Sequence, residues 1–157
     1  MPSLHGTLFF LQLLAASVGK TYINFFRKCV SKDECDFKGN IGLDQMRMWS
    51  VTTCCETDSC TPPDPLIFPV ISLQPNGLVC PSCKAEGSAW CDPSGTIECT
   101  GDEDRCLLMT TQVTGNSRLE AVTAYRGCAT QSVCRLGVQS YSAGGISMKI
   151  QYACSSG

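Results

Sequence analysis

Near the end of the chain Ile146, Met148, Ile150 and Tyr152 alternate with Ser147, Lys149, Gln151 and Ala153, leading into Cys154. A period of two puts one apolar face on one side of a strand. Residues 45–51 (QMRMWSV) run the same way into Cys54-Cys55. Residues 106–113 and 121–125 flank Gly115-Asn116-Ser117 and predict a hairpin with a loop longer than two residues. Gly144-Gly145 and Asp92-Pro93-Ser94-Gly95 mark turns. Beyond residue 19 no segment carries a convincing helical period. The pattern predicts an all-β protein.

Two stretches break this pattern. Residues 8–18 (LFFLQLLAASV) form an apolar run of signal-peptide length, too short for the roughly 20 residues of a membrane span. Small residues at Ser17 and Gly19 suit cleavage before Lys20, so residues 1–19 read as a leader. The n-region has His5 and no Lys or Arg, and a buried helix is the alternative. Residues 61–77 carry five of the eight prolines and no cysteine. Proline favours extended backbone, so this reads as a semi-rigid linker. Its Leu66-Ile67-Phe68 and Val70-Ile71 are expected to pack on something. It separates residues 20–60 from residues 78–157. Each part is below about 80 residues, too small for a core without staples.

The thirteen cysteines supply those staples. Their density is near the roughly 8–10% that marks a disulfide scaffold in a secreted chain. In a reducing compartment so many thiols would call for metal. Cys80-Pro81-Ser82-Cys83 is the C-x2-C pair of a zinc site, but Cys91 and Cys99 are too far apart to complete it. No metal or cofactor is expected.

Charge excludes further classes. The net charge is −2, with acids and bases interspersed, so neither nucleic acid nor an anionic membrane is an expected partner. The tail after Cys154 carries no hydrophobic anchor signal. His5 is the single histidine and lies in the leader, which removes Ser-His and Cys-His nucleophilic pairs. Asp102-Glu103-Asp104 is the one acidic cluster; Arg105 and Cys106 follow it, so it is not a calcium loop and reads as a solvated turn. No catalytic residue is expected, and the chain reads as a binder.

The cysteine pattern nearly repeats. Cys29 to Cys35 and Cys128 to Cys134 are both C-x5-C steps, after Phe26-Arg27-Lys28 and Tyr125-Arg126-Gly127. The order Cys80, Cys83, Cys91, Cys99, Cys106, Cys128, Cys134, Cys154 resembles the first eight cysteines of the Ly-6/uPAR three-finger family. The family's closing signature stands in the first part as Cys54-Cys55-Glu56-Thr57-Asp58-Ser59-Cys60, with Thr61 where Asn is usual. Within the family, residues 99–106 and 125–130 look most like the gamma-type phospholipase A2 inhibitors.

The resemblance implies disulfide-rich three-finger modules, the first incomplete. Residues 20–60 hold only the family's sixth to tenth cysteines; residues 78–157 lack the last small loop. It implies the pairs Cys80–Cys106, Cys83–Cys91, Cys99–Cys128, Cys134–Cys154, Cys35–Cys54 and Cys55–Cys60. Cys29 is left over as a free thiol, disposed to form a disulfide-linked dimer. Residues 20–34 are expected to be loosely packed, because the strands that would pair with them are missing. Residues 107–127 are the central finger by analogy. Met109, Val113, Leu119, Val122 and Tyr125 are its candidate contact residues, unless they only cover the neighbouring sheet. The implied function is a secreted phospholipase A2 inhibitor acting by association. A general extracellular interaction module and a truncated chain without function of its own are the alternatives.

Overall fold

The computed structural model describes residues 7–17 and 20–30 as backbone strands, and residues 35–57, 60–61, 72–115 and 120–156 with their side chains. The elements are β1 Thr7–Ser17, β2 Lys20–Val30, β3 Lys38–Leu43, β4 Met46–Cys55, β5 Pro75–Glu86, β6 Gly95–Thr100, β7 Arg105–Gly115, β8 Glu120–Ala129, α1 Gln131–Arg135, β9 Val138–Ala143 and β10 Ile146–Ser155. The fold is all-β and disulfide-rich. Among the described residues the one helix, α1, has five residues, too few for a helical period to be seen in the sequence.

Three hairpins, β5–β6, β7–β8 and β9–β10, form the three fingers of the second part. The strands run in the order β2-β1-β4-β3-β8-β7-β10-β9, with β5 laddered to β8 and β6 to β5. Thus β3 carries the first part's strands directly onto the second part's sheet, through Ile41 opposite Ala129 and Gly42 opposite Cys128. Glycine is required at that junction. A Cβ on Gly42 would lie 2.7 Å from Arg47 Nη1, and one on Gly127 would run into the Gly42 carbonyl.

Among the described residues six disulfides staple the two parts: Cys35–Cys54, Cys55–Cys60, Cys80–Cys106, Cys83–Cys91, Cys99–Cys128 and Cys134–Cys154. They are the pairs expected above. Cys80, Cys99 and Cys128 are fully buried, and Cys80 Sγ lies 3.4 Å from Cys99 Sγ. These sulfurs belong to two disulfides packed side by side, so none is a thiolate ligand. Each bridge contributes roughly 2–4 kcal/mol, largely by restricting the unfolded chain.

The main core spans both parts. Ile41 and Leu43 of β3 are buried with Leu107, Met109, Ala129 and Val133, and Met46, Met48, Tyr125, Ile150 and Tyr152 pack around them. Residues 20–60 and 78–157 are therefore not two cores on a tether. Residues 62–71, which hold the linker's apolar run, lie outside the described residues.

Two expectations meet a different structure at the beginning of the chain. Residues 7–17 are a strand and not a helix. Its outer neighbour β2 is laddered along its length, from Thr7 opposite Val30 to Ser17 opposite Lys20. On its other side β1 pairs with β4, from Leu8 opposite Cys55 to Ser17 opposite Met46. Residues 20–30 thus have a pairing partner, drawn from the apolar run. The physical cause is the open edge of β4. Backbone groups along an edge take whatever strand is at hand, and tertiary pairing overrides local preference.

Candidate functional site

The finger hairpin β7–β8 displays two faces, and register assigns each residue to one, since directly opposed residues of a ladder share a face. Met109 lies opposite Tyr125 on β8 and Tyr152 on β10. This is the core face. Met109 is only 7% exposed, so as a contact residue it is corrected: it is core, covered by the β3–β4 hairpin that the first part supplies. Tyr125 is half-buried against the same cluster, with Lys84 Nζ 6.0 Å from its ring centre. Val113 is on this face too, farther along, opposite Ala121 and Met148. Val122 pairs with Gln112 on the reverse face. Leu119 lies outside the described residues. The four described candidates therefore do not form one surface.

Toward the hairpin ends the core face becomes half-buried at Val113 and Tyr141 and exposed at Ile146 and Met148. Val113, Tyr141, Ile146 and Met148 continue the apolar stripe beyond the core, and Ile146 is 46% exposed. Exposed apolar groups such as Ile146 and Met148 are of the kind that protein contact surfaces use.

The reverse face has a different character. Trp90 is 55% exposed and lies against the Arg126 guanidinium, 4.3 Å from ring centre to Cζ. Arg126 Nε donates to the Cys91 carbonyl at 3.0 Å, and Trp90 Nε1 donates to Asp92 at 3.0 Å. Arg126 is thus a positioned stacking partner and not a solvated strand end. Beside it Leu108, Thr110, Gln112, Lys149 and Gln151 line a depression of about 160 Å³. Small-molecule sites usually run to roughly 300–1,000 Å³, so this hollow has room for one side chain and not for a cofactor.

The acidic turn supplies the feature that sequence reasoning missed. Glu103 is buried, 3% exposed. Its carboxylate accepts from Arg47 Nη1 at 2.8 and 2.9 Å and from the Thr100 amide at 2.9 Å. Arg47 Nη1 also reaches Thr100 Oγ1 at 2.8 Å. Asp102 accepts from Asn40 Nδ2 at 2.7 Å, and Asp104 accepts from the Gln131 amide at 2.8 Å. Each acid therefore grips a different element: β3, β4 and the start of α1. The turn is a latch between the two parts, and its carboxylates are committed to structure. Arg47 lies far from it in sequence and in a methionine-rich strand, so no local signal joins them.

Three groups have shifted acidities, one in the core and two at the surface. Burial, with Tyr141 nearby, pushes Tyr152 up to about 12. At the surface Lys84 and Glu86 pair at 2.6 Å; each holds the other charged, raising the lysine and lowering the carboxyl. Among the described residues no helix is long and apolar enough to cross a membrane. The arrangement offers association surfaces on a stapled frame.

Known proteins place this frame. The chain is 30% identical over 128 residues to a gamma-type phospholipase A2 inhibitor of Laticauda semifasciata, a match covering 80% of this chain and 67% of that protein. It is 28% identical over 148 residues to the 25 kDa phospholipase A2 inhibitor of Naja kaouthia, covering 91% and 76%. It is 34% identical over 110 residues to protein RoBo-1 of Rattus norvegicus, covering 68% of this chain and 43% of that one. Residues 76–157 match the model of the u-PAR/Ly-6 domain. The chain belongs to the u-PAR/Ly-6 domain family.

Proposed function

We infer that this protein is secreted and inhibits a secreted phospholipase A2 by binding it and occluding its surface. The observation that carries the reading is similarity to two phospholipase A2 inhibitors across most of the chain, through both parts and not the second part alone. The stapled and latched frame adds support, since fixing the strands in advance lowers the ordering cost of association. The contact surface is the stripe of exposed Ile146 and Met148 with half-buried Val113 and Tyr141. The cysteine content and the leader-like composition of residues 1–19 support export, and cleavage there would remove β1 from between β2 and β4. The test is an inhibition assay of correctly oxidised protein, at micromolar concentration, against several secreted phospholipases A2. Inhibition weakened by Met148→Lys is the expected result; no effect on any of the enzymes refutes the reading.

A second reading is an extracellular interaction module for another protein. It is favoured by the match to RoBo-1, whose identity exceeds that of either inhibitor. Capture from serum or cell surfaces of a partner other than a phospholipase, with no enzyme inhibited, selects this reading.

A further inference from the structure

The sheet ends at β9, and this end lacks the usual protection of an exposed edge. Among the described residues β9 ladders with β10 alone. Native edges are blunted with charge, proline or bulges. The other two outer strands follow that rule. The sequence of β2 includes Lys20, Arg27 and Lys28, and β6 carries Glu98 on a ladder broken by an irregularity between Pro75 and Val79. The β9 sequence VQSYSA has no charge and no proline, and its register with β10 is unbroken from Ala143 to Val138.

The hairpin turn fixes which backbone groups point outward. Gly144 and Gly145 both have positive φ, 57° and 79°, the two-residue turn whose twist suits a hairpin. In such a hairpin the flanking pair, Ala143 and Ile146, exchanges both backbone bonds, and bonded pairs then recur at every second residue. Tyr152 N donating to the Gly137 carbonyl at 2.8 Å continues the same alternation beyond the strand. Val138, Ser140 and Ser142 therefore turn their N–H and C=O groups away from β10. All three are exposed, Val138 by 53%.

We propose that β9 is a self-association edge, where two copies of this chain pair β9 to β9 antiparallel about an axis at Ser140. Ser140 lies opposite Ser140 of the partner copy, and Val138 opposite Ser142. The three outward residues of each copy then bond one another in matched register, with small side chains at the axis and no charges opposed. A two-fold joint of this kind is closed, so association stops at the dimer. A second copy fits better than a foreign strand. Strand addition by a foreign peptide takes its specificity from pockets for alternate side chains. The outward side chains here are serines and one valine on an open face. The dimer would also bring the two finger-end stripes, through Tyr141 and Met148, onto one continuous sheet.

The experiment is sedimentation velocity over a concentration series on the full, oxidised chain carrying Cys29→Ser, which removes covalent pairing through that thiol. A monomer–dimer equilibrium shifting toward dimer with concentration is expected. Ser140→Pro deletes an outward N–H that β10 does not use, and Ser140→Lys sets two like charges at the axis. Both are expected to leave monomer throughout the series, with six disulfides intact by mass. The lysine variant serves alone if the proline variant misfolds. A parent that stays monomeric at every concentration, or a dimer that survives Ser140→Lys, overturns the proposal. Phospholipase inhibition is read separately on the monomeric variant, so failure of one inference does not decide the other.

Discussion

At the residue scale the cysteines were legible and the latch was not. The pairing was legible only through the family resemblance that the order of the cysteines carries, since spacing alone leaves the connectivity open. The Arg47–Glu103 contact depends on the crossing of β3 over β8, which no local window contains. Arg47→Ala should leave Glu103 buried and unpaired. The expected loss is about 3 kcal/mol, the low end for breaking a buried pair because Arg47 is 23% exposed. Denaturant unfolding of Arg47→Ala, Glu103→Ala and the double variant measures the coupling; additive losses would remove the latch from the account. Tyr152 gives a pH prediction. Its folded value is raised to about 12 from about 10, so the neutral form is favoured by the fold. That stability is complete below the unfolded value and is lost as pH rises through the window between the two. It amounts to about 3 kcal/mol at most. Tyr152→Phe should therefore flatten the alkaline decline in stability across that window, and an unchanged decline would contradict the burial argument. Cys29, whose side chain lies outside the described residues, is expected to be the reactive thiol. Cys29→Ser should abolish disulfide-linked dimers on non-reducing electrophoresis.

At the element scale the alternating segments became strands, and β10 follows the Ile146–Tyr152 alternation closely. The contact residues fared worse. Periodicity shows that Met109 and Val113 share a face, but not that Ile41 and Leu43 of a distant hairpin cover only the first of them. The apolar run at residues 8–18 was ambiguous for a physical reason: the composition that suits a leader also suits a strand paired on both sides. The pairing of β1 with both β2 and β4 makes a prediction. Removal of residues 1–19 should speed amide exchange in β2 and along the β1-facing edge of β4. Comparing chains that begin at Met1 and at Lys20 checks this. Equal protection in both would mean that β1 does not hold those strands.

At the scale of the whole molecule, cysteine density and small module size pointed to a stapled secreted binder, and family membership agrees with the frame. The sequence suggested two modules joined by a linker, because it shows where prolines cluster but not where cores merge. The merged core and the latch make the two parts one folding unit, so a single cooperative unfolding transition is expected. All of this stands on the cysteine pairing, which the small core cannot replace. The most direct test is a disulfide map, by proteolysis and mass spectrometry, of the chain exported from a secretory host. The account predicts Cys35–Cys54, Cys55–Cys60, Cys80–Cys106, Cys83–Cys91, Cys99–Cys128 and Cys134–Cys154, with Cys29 free or bonded to another molecule. Cys29 bonded within its own chain, or reduced protein retained in the cell, would contradict it.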